Sequence, residues 1–249
     1  GVRIAQFETH GAFGTTREIL DYRHPDLIPS IDPRWLANAA PGQEAGFGSE
    51  GKFSNHATLV AGVMVAARNG QGEVGVAHGA TLAGYWVGAQ DFSNLAWMRE
   101  YDVVNHSWGT DTNFSLRFTP TGLGRMPGDY ADALVQGRNG LGTVIVTAGG
   151  NDRDHGGNTN YSNLSNSRAA IVVGAINGAP DLGALQLGGQ PFSNPGASIL
   201  VSAPGSNVTS TARLLQNDNG STFGSDAGTA QGTSFATPIV SGVVALMLE

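Results

Sequence analysis

The chain contains no cysteine. That absence rules out a disulfide framework, a thiolate metal site and thiol catalysis, and it leaves the cellular compartment open. Charge is scarce as well: Asp, Glu, Lys and Arg make up 13% of the 249 residues, and Lys and Arg nowhere form a run. With a formal net charge of -7 and a pI near 5.3, no nucleic-acid partner is expected, because neutralising phosphates takes clustered cations. Long apolar runs are missing too. The strongest, Leu59 to Ala67, is interrupted by Gly62 and stops well short of the roughly 20 residues that span a bilayer, so no membrane partner is expected. At Gly1 there is neither an initiator Met nor the charged-then-apolar pattern of a leader, which predicts a domain trimmed from a longer precursor.

Glycine, by contrast, contributes 37 residues, and hydrophobic side chains 40%, a composition of close-packed apolar elements joined by tight turns. A chain of this length is ordinary for one α/β domain, so 1–249 is read as a single domain. Val2 to Phe7 reads as a buried strand, ending at the polar Glu8-Thr9-His10-Gly11. A loop rich in Pro, Asp and Gly fills Asp21 to Gly51. Ala57 to Ala67 is apolar nearly all round, as a buried helix is, and it opens at Asn55-His56. Four apolar segments of strand length follow, at Thr81 to Val87, Val103 to Ser107, Thr143 to Ala148 and Ile171 to Ala175. Between them lie helix-like stretches at Phe92 to Glu100 and Asp129 to Arg138. Ile199 to Ala203 adds a strand and Asn207 to Gly228 a loop or short hairpin. Phe235 to Leu248 reads as a second buried helix, with Pro238 in its first turn. Apolar strands separated by crossovers imply an α/β fold with a doubly wound, mostly parallel sheet and helices on both faces.

In such sheets ligands gather beyond the carboxyl ends of the strands, and the candidate residues fall there. Glu8 follows the first strand, Ser107-Trp108-Gly109 the third and Ala148-Gly149-Gly150-Asn151 the fourth, while His56 and Ser234 each open a buried helix. Ser234 stands among glycine and small residues at the positive end of its helix, where a nucleophile would need a neighbouring base; the plainer reading is a helix-capping serine. Histidine is suited to take a hydroxyl proton near neutrality, yet a lone one at a helix start is often structural, and no HExxH pattern supports zinc. Asn151 ends a buried strand after two glycines; its amide suits a developing oxyanion as well as it suits a turn.

Read together, these segments resemble, in order, those of the subtilisin-like serine protease family. Gly232-Thr233-Ser234-Phe235-Ala236-Thr237-Pro238 is similar to GTSxA[ST]P, His56-Ala57-Thr58-Leu59-Val60-Ala61-Gly62 to HGTHVAG, and Val144 to Asn151 to a strand ending in AAGN. Weaker collinear matches include His24-Pro25-Asp26-Leu27, Asp102 to Gly109 against DVINxSxG, and Phe192-Ser193. The resemblance implies a serine endopeptidase with Ser234 as nucleophile, His56 as general base and Asn151 as side-chain oxyanion donor. It also implies a polypeptide substrate held as an added strand between Ser107-Trp108-Gly109 and Ala148-Gly149-Gly150. No cofactor is required, and an inhibitory propeptide, a monomeric state and a secreted location are expected.

Two departures matter. The family places an aspartate at the end of its first strand, and here Glu8 stands in that place; it keeps the charge that orients an imidazole but moves the carboxylate by about one bond length. Asp26 and Asn69 match a calcium-binding pattern of the family without its N-terminal partner, so structural calcium is possible and no metal ligands are assigned. A catalytically silent peptide-binding relative, or one that passes its acyl group to an amine and macrocyclises, would carry the same letters.

Overall fold

The computed structural model describes residues 1–9, 20–37, 53–87, 92–109, 125–162, 165–177, 191–213 and 226–249. His10 and Gly11, the stretch 38–51 and the middle of 207–228 lie outside the described residues. Six strands form one sheet: β1 (Arg3–Glu8), β2 (Thr81–Trp86), β3 (Val103–His106), β4 (Val144–Ala148), β5 (Ala170–Ile176) and β6 (Ile199–Pro204). Their order is β2-β1-β3-β4-β5-β6, and every neighbouring pair is parallel. The order reverses at β1, the topology of a doubly wound sheet. A separate antiparallel pair, β7 (Val208–Thr211) with β8 (Ala227–Ala230), supplies the hairpin expected near 207–228.

The central strands are buried on both faces, so alternate residues point into different layers. Phe7, His106 and Thr147 are in register across β1, β3 and β4. They therefore share one face, over which α2 (Met126–Gly140) lays Tyr130 against His106. Gln6, Glu8 and Asn105 point the other way. That face is covered by α1 (Asn55–Val65) and α3 (Thr233–Leu248): Gln6 bonds to the Ala57 carbonyl and Asn105 accepts from Ser241. Burial of α1 on all sides explains why it shows no polar stripe, whereas α3 is buried mainly in its first half and leaves Val243, Leu246 and Met247 exposed, so the expectation of a second helix buried all round is corrected there. In α1 every residue except His56 is buried, and Gly62 is there because a Cβ would meet Ser210 Oγ of β7 at 2.4 Å.

Residues Ser93–Glu100 form a 3-10 helix rather than an α-helix. Its two buried side chains, Leu95 and Met98, stand three apart, which a three-residue turn sets directly one above the other on a single face. Among the described residues no helix is long and apolar enough to cross a membrane.

Candidate active site

Glu8 closes β1, and Gln6, two residues earlier, faces the same side. Gln6 Nε2 donates to Glu8 Oε1 at 2.8 Å and to the Ala57 carbonyl at 2.9 Å, which spends both amide protons. The second oxygen, Glu8 Oε2, lies 3.0 Å from His56 Nδ1. A carboxylate that is 3% exposed needs such partners, and an ionised one can only accept. Opposite an ionised carboxylate the imidazole must donate from Nδ1, which leaves Nε2 of His56 as the basic nitrogen. The extra methylene of glutamate is thus taken up with both oxygens occupied.

His56 is delivered by the first turn of α1. Ser54 caps that turn, its Oγ accepting from Ala57 N at 2.9 Å. Asn55 Oδ1 accepts from Arg213 N at 2.9 Å, tying the same turn to the end of β7. The imidazole ring stands edge-on to Phe235, centroids 5.5 Å apart, which brings it beside the residue that follows Ser234.

α3 begins at Thr233, so Pro238 is its sixth residue and lies inside the helix rather than in the first turn. A proline has no N–H to give the carbonyl four residues back, here that of Ser234. Ser107 supplies the missing donor: its Oγ donates to Ser234 O at 2.8 Å, and in return Ser234 Oγ donates to Ser107 O at 3.0 Å. Ser107 is itself set by Asn105, whose Nδ2 donates to Ser107 Oγ at 2.9 Å while its Oδ1 accepts from Ser241 Oγ at 2.8 Å. A directed chain of hydrogen bonds from α3 through β3 back to α3 fixes the serine's backbone.

Asn151 follows β4 on an exposed turn. Its Oδ1 accepts from Thr233 N at 2.8 Å and from Thr233 Oγ1 at 2.9 Å, and Thr233 Oγ1 accepts from Gly150 N at 3.1 Å. The carbonyl side of the amide is therefore committed, and Nδ2 bonds to no protein group among the described residues. Asn194 braces the turn through Gly149 O and Asp152 N, and it packs so closely that a Cβ on Gly150, at φ +97, would lie 2.3 Å from Asn194 Nδ2.

Of the segments expected to hold a substrate, Gly109 is exposed, Gly150 half-buried, and Ser107, Ala148 and Gly149 buried. Trp108 is 9% exposed, with its ring edge-on to His106 in the layer under α2. Gln6, Asn105, Thr233, Asn194 and Ser241 were not singled out from sequence. Buried polar residues at Gln6 and Asn105, in otherwise apolar strands, were the available clue. Asp26 Oδ1 accepts from Asn69 Nδ2 at 2.9 Å, so those two side chains hold each other. No three His, Asp or Glu side chains gather among the described residues.

The profile described as "Subtilase family", peptidase S8, matches residues 18–249. The chain belongs to the subtilase family. The matched span begins after β1, so the strand carrying Glu8 lies outside it. Proprotein convertase subtilisin/kexin type 7 of Homo sapiens is 30% identical over 211 residues, covering 79% of this chain and 25% of that protein. Subtilisin E of Bacillus subtilis is 29% identical over 231 residues, covering 92% of this chain and 53% of that one. The chain thus spans a quarter to about half the length of these relatives. Among solved structures, the serine protease of Aeromonas sobria aligns over 100% of this chain and 47% of that one, with a TM-score of 0.73 at 19% identity. That likeness is one of fold, and it agrees with the parallel, doubly wound subtilase sheet described above.

Proposed function

We propose that this subtilase domain is a serine endopeptidase in which a glutamate takes the part of the orienting acid. The observation that carries the reading is the 3.0 Å contact between Glu8 Oε2 and His56 Nδ1, on the same sheet edge as Ser234 and Asn151. A peptide lies along Ser107-Trp108-Gly109 and Ala148-Gly149-Gly150 as an added strand. Ser234 Oγ turns from the Ser107 carbonyl, gives its proton to His56 Nε2 and attacks the scissile carbonyl; such bonds commonly tighten only with substrate present. Glu8 stabilises the resulting imidazolium. The oxyanion is held by Asn151 Nδ2, already oriented by Thr233, and by the Ser234 N–H at the head of α3. His56 then protonates the leaving amine, and water releases the acyl group by the reverse sequence. An inhibitory propeptide and a secreted location complete the proposal.

A fluorophosphonate probe tests it. The folded chain is expected to label at Ser234, with labelling lost in Ser234→Ala and in His56→Ala. Folded protein that neither labels nor cleaves a casein substrate would sink the reading and leave a peptide-binding domain.

A further inference from the structure

We propose that a cavity at the opposite end of the sheet binds a small polyanion, a molecule carrying two or more phosphate or carboxylate groups. The cavity measures about 600 Å³, within the size range of small-molecule sites. It lies where β1 and β3 begin, whereas Glu8 and Ser107 stand where they end. Five residue steps along the strand separate Arg3 from Glu8, roughly 17 Å at the usual rise.

Its lining carries the argument. Of 13 Lys and Arg residues in a chain of net charge -7, four arginines face this one space: Arg3, Arg34, Arg99 and Arg138. They meet two carboxylates, Glu100 and Asp102, with Asp32 buried behind Arg3. Four guanidinium groups against three carboxylates leave this concave site with a net positive charge on an acidic protein, an arrangement that attracts anions.

The arginines divide into a fixed wall and movable forks. Arg3 is fixed: Nε and one terminal nitrogen bond to Asp32 at 3.0 and 2.9 Å, and the other donates to the Glu100 carbonyl at 2.7 Å. Arg99 and Arg138 are held only loosely. Arg99 reaches Glu100 Oε1 at 3.3 Å and Gln136 at 3.5 Å, and Arg138 reaches Gly142 O at 3.4 Å and Asp102 Oδ1 at 3.8 Å. Pairs this long, exposed at Arg99 and half-buried at Arg138, contribute little, so both side chains can exchange them for the shorter, bidentate bonds that phosphate or carboxylate offers. Arg138 is also presented by unusual backbone, since it and Asn139 are consecutive left-handed residues at φ 49 and 57. L-residues avoid that region, and here the kink over 137–139 accompanies the placing of Arg138 and Asn139 in the cavity lining. A monoanion would satisfy one fork. Arginines contributed by β1, by the segment before β3 and by the end of α2 call for several anionic groups on one ligand.

Thermal unfolding and calorimetric titration with pyrophosphate and with citrate test the site, ionic strength being held constant with NaCl. Either anion at millimolar concentration is expected to raise Tm by about 3 °C or more. Binding should weaken at least about tenfold in Arg99→Gln/Arg138→Gln, with peptidase turnover unchanged. The better of the two anions identifies the preferred group. Should the double variant fail to fold, Arg99→Glu, a change at an exposed side chain, is expected to weaken binding by itself. No shift with either anion, or equal shifts in the native and variant proteins, overturns the proposal.

Discussion

Glutamate and aspartate differ by one methylene, and at the end of β1 that difference decides where the carboxylate stands. In this chain Oε2 already reaches His56 Nδ1 and Oε1 is held by Gln6, so the local geometry is built around the longer side chain. Restoring the family's aspartate should therefore harm the enzyme. Glu8→Asp withdraws the oxygens by about 1.5 Å, and an error of that size in a positioned group costs about 10²-fold. The expected outcome is a kcat lower by about that factor with KM little changed, read from steady-state hydrolysis of a peptide. Glu8→Ala should fall further, by about 10³- to 10⁴-fold, since the wrong tautomer is then free to form. A Glu8→Asp variant as fast as the native chain would mean that the strand end adapts and that glutamate is not specifically required. The position of Glu8 at the end of the first strand was legible from the apolar run before it. Gln6 was not, because hydrophobic patterning treats a single polar residue inside a strand as noise, while burial makes its bonding obligatory.

At the scale of elements, α3 shows how a small error in a helix boundary hides a mechanism. Patterning starts the helix at Phe235 because Gly232-Thr233-Ser234 has the composition of a cap, and Pro238 then falls harmlessly in the first turn. With the start at Thr233, Pro238 deprives Ser234 O of its intrahelical donor, and Ser107 Oγ replaces it. The two residues should therefore be energetically coupled. Ser107→Ala leaves that carbonyl without its donor and is expected to cost about 1–3 kcal/mol. In a Pro238→Ala background, where an N–H is restored, the same change should cost at least about 0.5 kcal/mol less. Urea unfolding of the four members of this cycle, all carrying Ser234→Ala to prevent self-digestion, measures the coupling. Strictly additive effects would show that Ser107 serves Ser234 in some other way.

For the molecule as a whole, the sheet was legible because the parallel strands β1 to β5, largely buried, write themselves as short apolar runs, and the exposed edge strand β6 was read from Ile199, Leu200 and Val201 in the same way. Which layer each residue enters was not legible, since alternation disappears when both sides are apolar. His106 illustrates the consequence. It sits between Asn105 and Ser107, which face or adjoin the edge that carries Glu8 and His56, yet its own ring lies on the other face, stacked between Phe7 and Tyr130 and edge-on to Trp108. Among the described residues neither ring nitrogen has a hydrogen-bond partner, and burial pushes its pKa from 6.5 down to about 3. In the unfolded chain the imidazole takes a proton as pH falls below about 6.5; in the folded chain it stays neutral until about pH 3. Across that window the unfolded state binds more protons, so acidification favours unfolding and stability rises with pH. From pH 7 to pH 4.5 this one residue should remove about 2–3 kcal/mol. His106→Phe fills the same aromatic slot without a titrating group, and its stability should fall less over that interval by the same amount. Urea melts of both proteins at the two pH values, again in a Ser234→Ala background, isolate the difference because every other titrating group is common to the pair. Parallel losses would mean that water reaches the ring, and that the acid sensitivity of this fold is written elsewhere in its polar interior.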